Sequence, residues 1–372
     1  MLPPDASPGP LPPAPDEYFT LDELKAEMKK LAWTKGDFTI TPYGILWANM
    51  TWETSRSVFG DYVLYVARPK DNDNEAFDVD AKSTRLGFDV LGPKVCFFGE
   101  AQTGGKVEID FQGSFVTENK GGLLLRHAYV EMKNDEYRLL AGQTWDVISP
   151  LNPGVLFYSV GWFGGNIGYR RAQVRGERYM DLSDNLLITA QGSLSEDLLT
   201  DSLPAVAPPF SSDHSGWPVL EGRLAATLGP RGPGCRPIEV GVSSHIGDTI
   251  LFLAAAPNDG VSRRTWSLNT DIRVPITSRF GVQAELWTGE NLATYFGGIG
   301  QGINLAAPYN TIRSRGGWVD VWYDWSERWH SHVGYSIDDP IDSDITSGRV
   351  YNSFLFANVS YDVTKKFLLG FE

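Results

Sequence analysis

The stretch GGWVDVWYDWSERWHSHVGYSIDDP, residues 316–340, decides the fold class. Between positions 319 and 323 the odd residues are Val or Tyr, and the even residues 318–324 are Trp or Asp. After the link SERW the alternation resumes, with apolar residues at 333, 335 and 337. A two-residue period over two runs joined by a tight link predicts a β-hairpin.

This hairpin has one apolar face and one face that carries carboxylates. A soluble sandwich buries its apolar face and leaves its carboxylates in the surrounding water. A membrane β-barrel does the reverse, with the apolar face in lipid and the carboxylates along a water-filled lumen. The hairpin fits both, so the rest of the chain must decide between them.

The composition favours a β protein. The 372 residues include 39 glycines and 23 prolines, and only 21% of them are charged, which suits many short strands separated by turns. The formal net charge of −14 argues against a nucleic-acid partner and against a basic patch that binds an anionic membrane surface. The longest apolar candidate, ILFLAAA, is far too short for a membrane-spanning helix.

The N-terminal region precedes the strand pattern. Residues 1–16 form a Pro-rich linker, and residues 17–34 are expected to form a short amphipathic helix with a capping box and an apolar stripe. Such a helix is marginal alone, so we expect it to pack on a partner or on the barrel. The first residues show no signal-peptide pattern, although an exported protein needs one; a truncated or misplaced start would explain this.

Residues 37–372 are predicted to form the barrel itself, with fifteen strands. The strands are expected near 38–50, 83–91, 106–115, 122–133, 137–147, 170–181, 186–195, 218–228, 238–250, 263–275, 280–290, 316–325, 330–338, 351–363 and 366–372.

The connections between these strands are of two kinds. The tight links are NDE, SDN, TSR, SERW and TKK, and the long stretches that alternate with them are 51–82, 148–169, 196–217, 251–262, 291–315 and 339–350. Short turns at one end and long loops at the other are typical of an outer-membrane up-and-down barrel. A sandwich with Greek-key connections would not alternate so regularly.

The last predicted strand, 366–372, leaves the barrel with an odd number of strands. Single-chain bacterial barrels use an even number, and an open edge in hydrocarbon leaves backbone groups without partners. We therefore expect sixteen strands, with the last one missing from this chain and a gap between segments 38–50 and 366–372.

Five motifs in order resemble the DcaP-like porins, including planctomycete-type members. They are TRLGFDV, GGKVEIDFQGSF, LLLRHAYVEM, LLAGQTWDVISPLNP and RRAQVRGERY. The resemblance implies a homotrimeric outer-membrane channel of a Gram-negative bacterium, with a 16-stranded barrel, an N-terminal periplasmic helical element and passive uptake of small solutes. It also implies that the loop after QTWDVISPLNPG folds into the lumen; the chain lacks the family's signal peptide and its aromatic-ended last strand.

Charged residues on the predicted lumen face are the candidate site residues. The predicted pore-lining residues are Arg85, Glu108, Asp110, Arg126, Arg171, Arg175, Glu177, Arg223 and Arg273. Fixed charges around a narrow pore impose a field on passing solutes, so arginines at the constriction would favour small anions. The alternative is that these charges pair with one another and only hydrate the wall.

Two functions follow from these observations. The first is an outer-membrane porin for small hydrophilic solutes, which contacts lipid and needs no cofactor. The alternative is a soluble, Trp-rich β protein that binds or cleaves carbohydrate, supported by 12 tryptophans and the missing signal peptide. The sequence has no motif of a hydrolase or nucleotide-binding enzyme, and His330 and His332 share a face without a third metal ligand.

Overall fold

The computed structural model describes residues 32–58, 62–67, 75–97, 99–113, 121–157, 159–198, 210–232, 234–253, 256–304 and 306–372. The predicted linker 1–16 and most of the predicted helix 17–34 lie outside these residues. Within the described chain no helix has the length and apolar character needed to cross a membrane.

One antiparallel sheet of 17 strands dominates the structure. Sixteen of them follow one another around the sheet, each paired with the next along the chain. They are β1 (Trp33–Lys35), β2 (Phe38–Ile45), β3 (Arg85–Val95), β4 (Ala101–Asp110), β5 (Leu124–Lys133), β6 (Tyr137–Trp145), β7 (Arg170–Ser183), β8 (Leu186–Ser195), β9 (Val219–Leu228), β10 (Ile238–Leu253), β11 (Ala256–Pro275), β12 (Phe280–Glu290), β13 (Arg313–Asp324), β14 (Trp329–Pro340), β15 (Asn352–Thr364) and β16 (Phe367–Phe371). This is the up-and-down order that the sequence predicts.

Shorter elements lie in the long connections. Within the described residues, the remaining strands are Asn49–Glu53, Ser57–Val58, Tyr65–Val66, Ala76–Asp80, Val160–Asn166 and Phe210–His214, and the 3-10 turns are Ala293–Tyr295, Gly298–Gly300 and Asp342–Asp344. Strand Phe210–His214 is the seventeenth member of the sheet, where it pairs with the outer end of β10.

All fifteen predicted strands are present, as β2 to β16, but the sheet begins earlier than predicted. The expected helix 17–34 is wrong at its end, because Trp33 and Thr34 belong to β1 and pair with Ile40 and Thr39. A turn at Gly36, with φ 61, reverses the chain between the two strands. Hairpin pairing satisfies the backbone groups that a helix would otherwise have satisfied internally.

The two ends of the sheet do not meet along their length. Among the described residues, no backbone pairing joins β1 or β2 to β16. Segments 38–50 and 366–372 are thus not paired with each other, but β1 lies on the free edge of β2 and brings the described chain itself to sixteen consecutive strands, so the missing sixteenth strand stays a prediction.

The predicted loop 251–262 is a strand extension instead. β10 and β11 continue outward until Leu253 pairs with Ala256. Strand Phe210–His214 pairs with residues 249–253, so the extension has a further partner on one side. The residues PNDG, 257–260, lie where the register shifts between the pairs Leu251–Val261 and Leu253–Ala256, so they form an irregularity in the ladder.

The two faces of the sheet differ as parity predicts. Leu286 and Leu355 point outward and are 63% and 76% exposed, whereas Asp320 and Asp338 point into the lumen and are fully buried. Trp318, in the hairpin that decides the fold class, is also buried on the lumen side. The apolar face therefore lies outside and the polar face lies inside.

Candidate functional site: the lumen constriction

Residues 146–169, which we call the inward segment, cross the lumen from β6 towards the opposite wall. Among the described residues, six of its backbone N–H groups donate to carboxylates: Tyr169 donates to Asp146 within the segment, Phe157 donates to Glu372, and the other four reach four different carboxylates. The donor–acceptor pairs of these four are Val147 to Glu221 at 3.3 Å, Leu151 to Glu285 at 2.7 Å, Gly154 to Asp320 at 3.0 Å and Leu156 to Glu372 at 2.7 Å. Irregular backbone away from bulk water needs such acceptors. The predicted inward fold of this loop is confirmed.

The glycines of FGGNIG let this segment approach the wall closely. Gly165 has φ +120, and a Cβ added there would lie 2.5 Å from the carbonyl oxygen of Gly317. The indole of Trp287 donates to the carbonyl of Gly165 at 2.6 Å. The glycines therefore serve close packing against the wall, as a loop in a lumen requires.

A second connection, residues 291–312, also folds inward and is joined to the inward segment. The backbone N–H of Gly168 donates to the carbonyl of Tyr295 at 2.8 Å. The rings of Tyr169 and Phe296 stack with centroids 4.5 Å apart. Ile299 donates its N–H to Asp338 on β14 at 2.8 Å. The two loops together fill the lumen beside β12 to β15.

Arg171 is fully buried where these loops meet the wall. Its guanidinium lies 2.7 Å from Asp146 and 3.6 Å from both Asp197 and Glu221. It also lies 3.7 Å from the centroid of the Tyr295 ring. Burial raises the pKa of Asp146, and Arg171 opposes that increase. Arg171 thus joins β7 to four other parts of the chain.

Arg126 is also buried and paired. Its Nε donates to Glu108 at 2.6 Å and its Nη1 donates to Asp110 at 2.7 Å. Arg85 lies nearby at the start of β3, with its guanidinium 5.8 Å from the centroid of the Trp47 ring. These four charged residues, with Arg85 and Arg126 opposite Glu108 and Asp110, are balanced in sign.

Arg175 and Glu177 form a third group on β7. Arg175 lies 3.3 Å from Glu177 and donates to the carbonyl of Trp145. Arg138 lies 3.3 Å from the same Glu177 carboxylate, and Tyr179 donates its hydroxyl to it. Glu177 is therefore shared between two arginines.

The two remaining predicted residues lie on β9 and β11. Arg223 donates to both oxygens of Asp271, at 3.0 and 2.6 Å. Arg273 is exposed and lies with its guanidinium 5.4 Å from the centroid of the Trp322 ring. The nine predicted residues thus fall into separate groups, and the pairing within those groups favours the interpretation that the lumen charges balance one another.

Two cavities remain between the wall and the inward segment. The first has a volume of about 360 Å³ and is bordered by Arg85, Glu108 and Arg126. The second has a volume of about 210 Å³ and is bordered by Arg175. The cavities share the walls formed by Trp145, Asn152 and Trp162, so the space that the loops leave open runs along these residues.

The predicted site residues do not include these shared wall residues, because charge on the lumen face was the criterion and Trp145, Asn152 and Trp162 carry none. Trp162 lies in the motif GWFGGN of the predicted inward loop, and its position there was the signal that could have identified it. Trp145 ends β6 directly before that loop.

No metal centre is present in the part of the chain that the structure describes. No group there has three His, Cys, Asp or Glu side chains placed to hold an ion. His330 Nδ1 instead lies 2.8 Å from Asp324 Oδ1, at hydrogen-bond distance. Cys96 and Cys235 are both exposed and free.

The fold is similar to the folds of solved outer-membrane channels. The outer membrane channel DcaP of Acinetobacter baumannii aligns over 91% of this chain and 90% of its own, with a TM-score of 0.70 and 19% identity. The chain has the fold of DcaP. OprB of Pseudomonas putida aligns over 92% of this chain and 88% of its own, with a TM-score of 0.50 and 10% identity. No family model and no curated protein matches the chain. The predicted resemblance to DcaP-like porins is confirmed at the level of the fold.

Proposed function

We propose that this protein is a passive diffusion channel of the bacterial outer membrane, for small hydrophilic solutes, and that it is not an enzyme. The observation that carries the proposal is the inward segment, held across the lumen by four carboxylates. Such a segment narrows a polar lumen, which suits selection of solutes by size. The outward apolar face suits contact with lipid.

Swelling of liposomes that contain the purified protein tests this proposal. We expect swelling in solutions of small sugars or amino acids, with a rate that falls as solute size increases. Liposomes that contain heat-denatured protein provide the control. Absence of swelling with every solute would contradict the proposal.

We further propose that the charged lumen residues give only weak ion selectivity. The support is that Arg126, Arg171, Arg175 and Arg223 each lie within 4 Å of a carboxylate. A paired guanidinium attracts a passing anion less than an unpaired one does. The anion preference expected from a ladder of arginines therefore has less support than weak selectivity has.

The homotrimer implied by the family resemblance is also a proposal. Sedimentation in detergent before and after heating measures it. We expect a species of three chains that converts to single chains on boiling. A single chain before heating would contradict the trimer and would leave the channel proposal standing.

The soluble carbohydrate-active alternative has less support. Leu286 and Leu355 would then expose large apolar side chains to water on the outer face. Cell fractionation with unheated gel electrophoresis separates the two functions. A channel should require detergent and change its mobility on boiling, whereas a soluble protein should do neither.

A further inference from the structure

The 360 Å³ cavity has the chemistry of a binding site rather than of a plain water-filled passage. We propose that it binds a neutral, ring-shaped, hydroxyl-rich solute of the monosaccharide class. This inference rests on the proposed channel function. The volume lies near the lower end of the range of about 300–1,000 Å³ for small-molecule sites.

Aromatic rings form much of the cavity wall. Trp47, Trp145 and Trp162 all border it. The rings of Trp145 and Trp162 are nearly parallel, with an interplanar angle of 23° and centroids 6.0 Å apart. The face of an aromatic ring is electron-rich and attracts positively polarised groups such as the C–H groups of a sugar ring.

Trp162, which borders both cavities, carries a buried donor without a protein partner among the described residues. Trp162 is 3% exposed, and its indole N–H has no hydrogen-bond partner among the described residues. A buried polar group without a partner costs free energy, so such groups are rare unless water or a ligand satisfies them. A hydroxyl oxygen of a bound solute would accept this hydrogen bond.

Other polar groups at the cavity suit hydroxyls. The amides of Asn152 and Asn166 border it, and Asn166 donates to Asn152 at 3.1 Å. His127 also borders it, with Nδ1 3.0 Å from the hydroxyl of Thr144. Amide and imidazole groups both donate and accept hydrogen bonds, as do hydroxyls.

The pairing of Arg126 reduces the attraction of the cavity for an anion. Arg126 already donates to both Glu108 and Asp110, at 2.6 and 2.7 Å. Of the charged residues that border the cavity, Arg126 is therefore already paired, Glu108 would repel an incoming carboxylate, and Arg85 is the other arginine. A neutral polyol meets no such repulsion.

Ion current through the reconstituted full chain tests the inference, with glucose as the probe. We expect glucose to reduce the current in a saturable way. Trp162→Phe keeps an aromatic ring but removes the N–H, and it should raise the half-blocking concentration about threefold to tenfold, the loss of one hydrogen bond. The matched control is Trp217→Phe, because Trp217 is 84% exposed and lies outside this cavity.

A second variant keeps the inference testable if Trp162→Phe does not fold. Trp47→Ala removes an aromatic wall from a half-exposed residue and should also weaken block by glucose. The heat-dependent gel shift shows whether each variant is folded.

The outcomes separate this inference from the channel proposal. A conducting channel that glucose does not block would overturn the inference alone, and so would block by benzoate without block by glucose. Block by glucose that neither variant weakens would place the sugar elsewhere and would also overturn it. Absence of any conductance would overturn the channel proposal and this inference with it.

Discussion

The backbone N–H of Leu151 donates a hydrogen bond to Glu285 Oε1 at 2.7 Å, although 134 positions separate the two residues. Leu151 belongs to the inward segment and Glu285 to β12 on the opposite wall. The bond explains why a buried strand position carries a carboxylate: its function is to hold a loop across the lumen. The same applies to Asp320 and Glu221.

Replacing Glu285 should widen the constriction. Glu285→Ala leaves the N–H of Leu151 without this acceptor, which costs about 1–3 kcal/mol and weakens the attachment of the inward segment. We expect a larger and noisier single-channel current. Glu285→Gln retains a carbonyl acceptor and should stay near the wild-type current. Equal currents for the two variants would show that the bond does not hold the segment.

Removing Arg171 should destabilise the fold. Arg171→Met leaves the carboxylates of Asp146, Asp197 and Glu221 buried without their cation, and breaking a buried pair in this way costs about 3–5 kcal/mol. Adding Asp146→Asn removes one of those charges and should recover part of the loss. Unfolding in denaturant, followed by the gel shift, measures both.

Arg178→Met is the control for this experiment. Arg178 is a partly exposed arginine that lies 2.5 Å from Glu136 at a tight turn. Its removal should leave the free energy of unfolding nearly unchanged, because an exposed ion pair contributes little to stability. If Arg171→Met changed the free energy of unfolding as little as Arg178→Met does, the buried cluster around Arg171 would not stabilise the fold.

Ion selectivity should respond to the carboxylates that face Arg126. The double variant Glu108→Gln with Asp110→Asn removes two negative charges and leaves the guanidinium charge unbalanced. We expect the reversal potential to shift towards anion selectivity at low salt, where screening is weakest. An unchanged reversal potential would mean that permeating ions do not pass this cavity.

The assignment of the lipid-facing surface can be tested by placing an arginine at two different depths in the bilayer. Leu224, near the middle of β9, is 58% exposed on the outer face. Leu224→Arg should cost about 2–4 kcal/mol if this position faces the centre of the bilayer. Leu182→Arg, at the short-turn end of β7, should cost only about 0–1 kcal/mol. Similar costs at both sites would contradict the assignment of a lipid face.

The sequence predicted the strands well because a two-residue period is a local property. Val319 and Asp320 reveal opposite faces without knowledge of any partner. β1 was missed because three residues are too few to show a period and because they follow a helical pattern. The extension of β10 and β11 beyond residues 250 and 263 was missed because PNDG is typical of a turn, and the pairs Leu251–Val261 and Leu253–Ala256 are not visible in the local pattern.

The candidate site was predicted less completely. Parity placed Arg126 and Arg171 on the lumen face, but it could not identify their partners. Arg171 and Glu221 are 50 positions apart and on different strands, and Leu151 pairs with Glu285 through a backbone group that no side-chain pattern reveals. Contacts of this kind depend on how the loops fold, which periodicity does not encode.

Single-channel recording in a planar lipid bilayer tests the central claim most directly. The protein should be purified in detergent, checked by its heat-dependent gel shift and reconstituted at low concentration. The channel account predicts discrete steps of ion current of uniform size, with larger steps for Glu285→Ala than for Glu285→Gln. A folded, membrane-inserted protein that produces no current steps would contradict it.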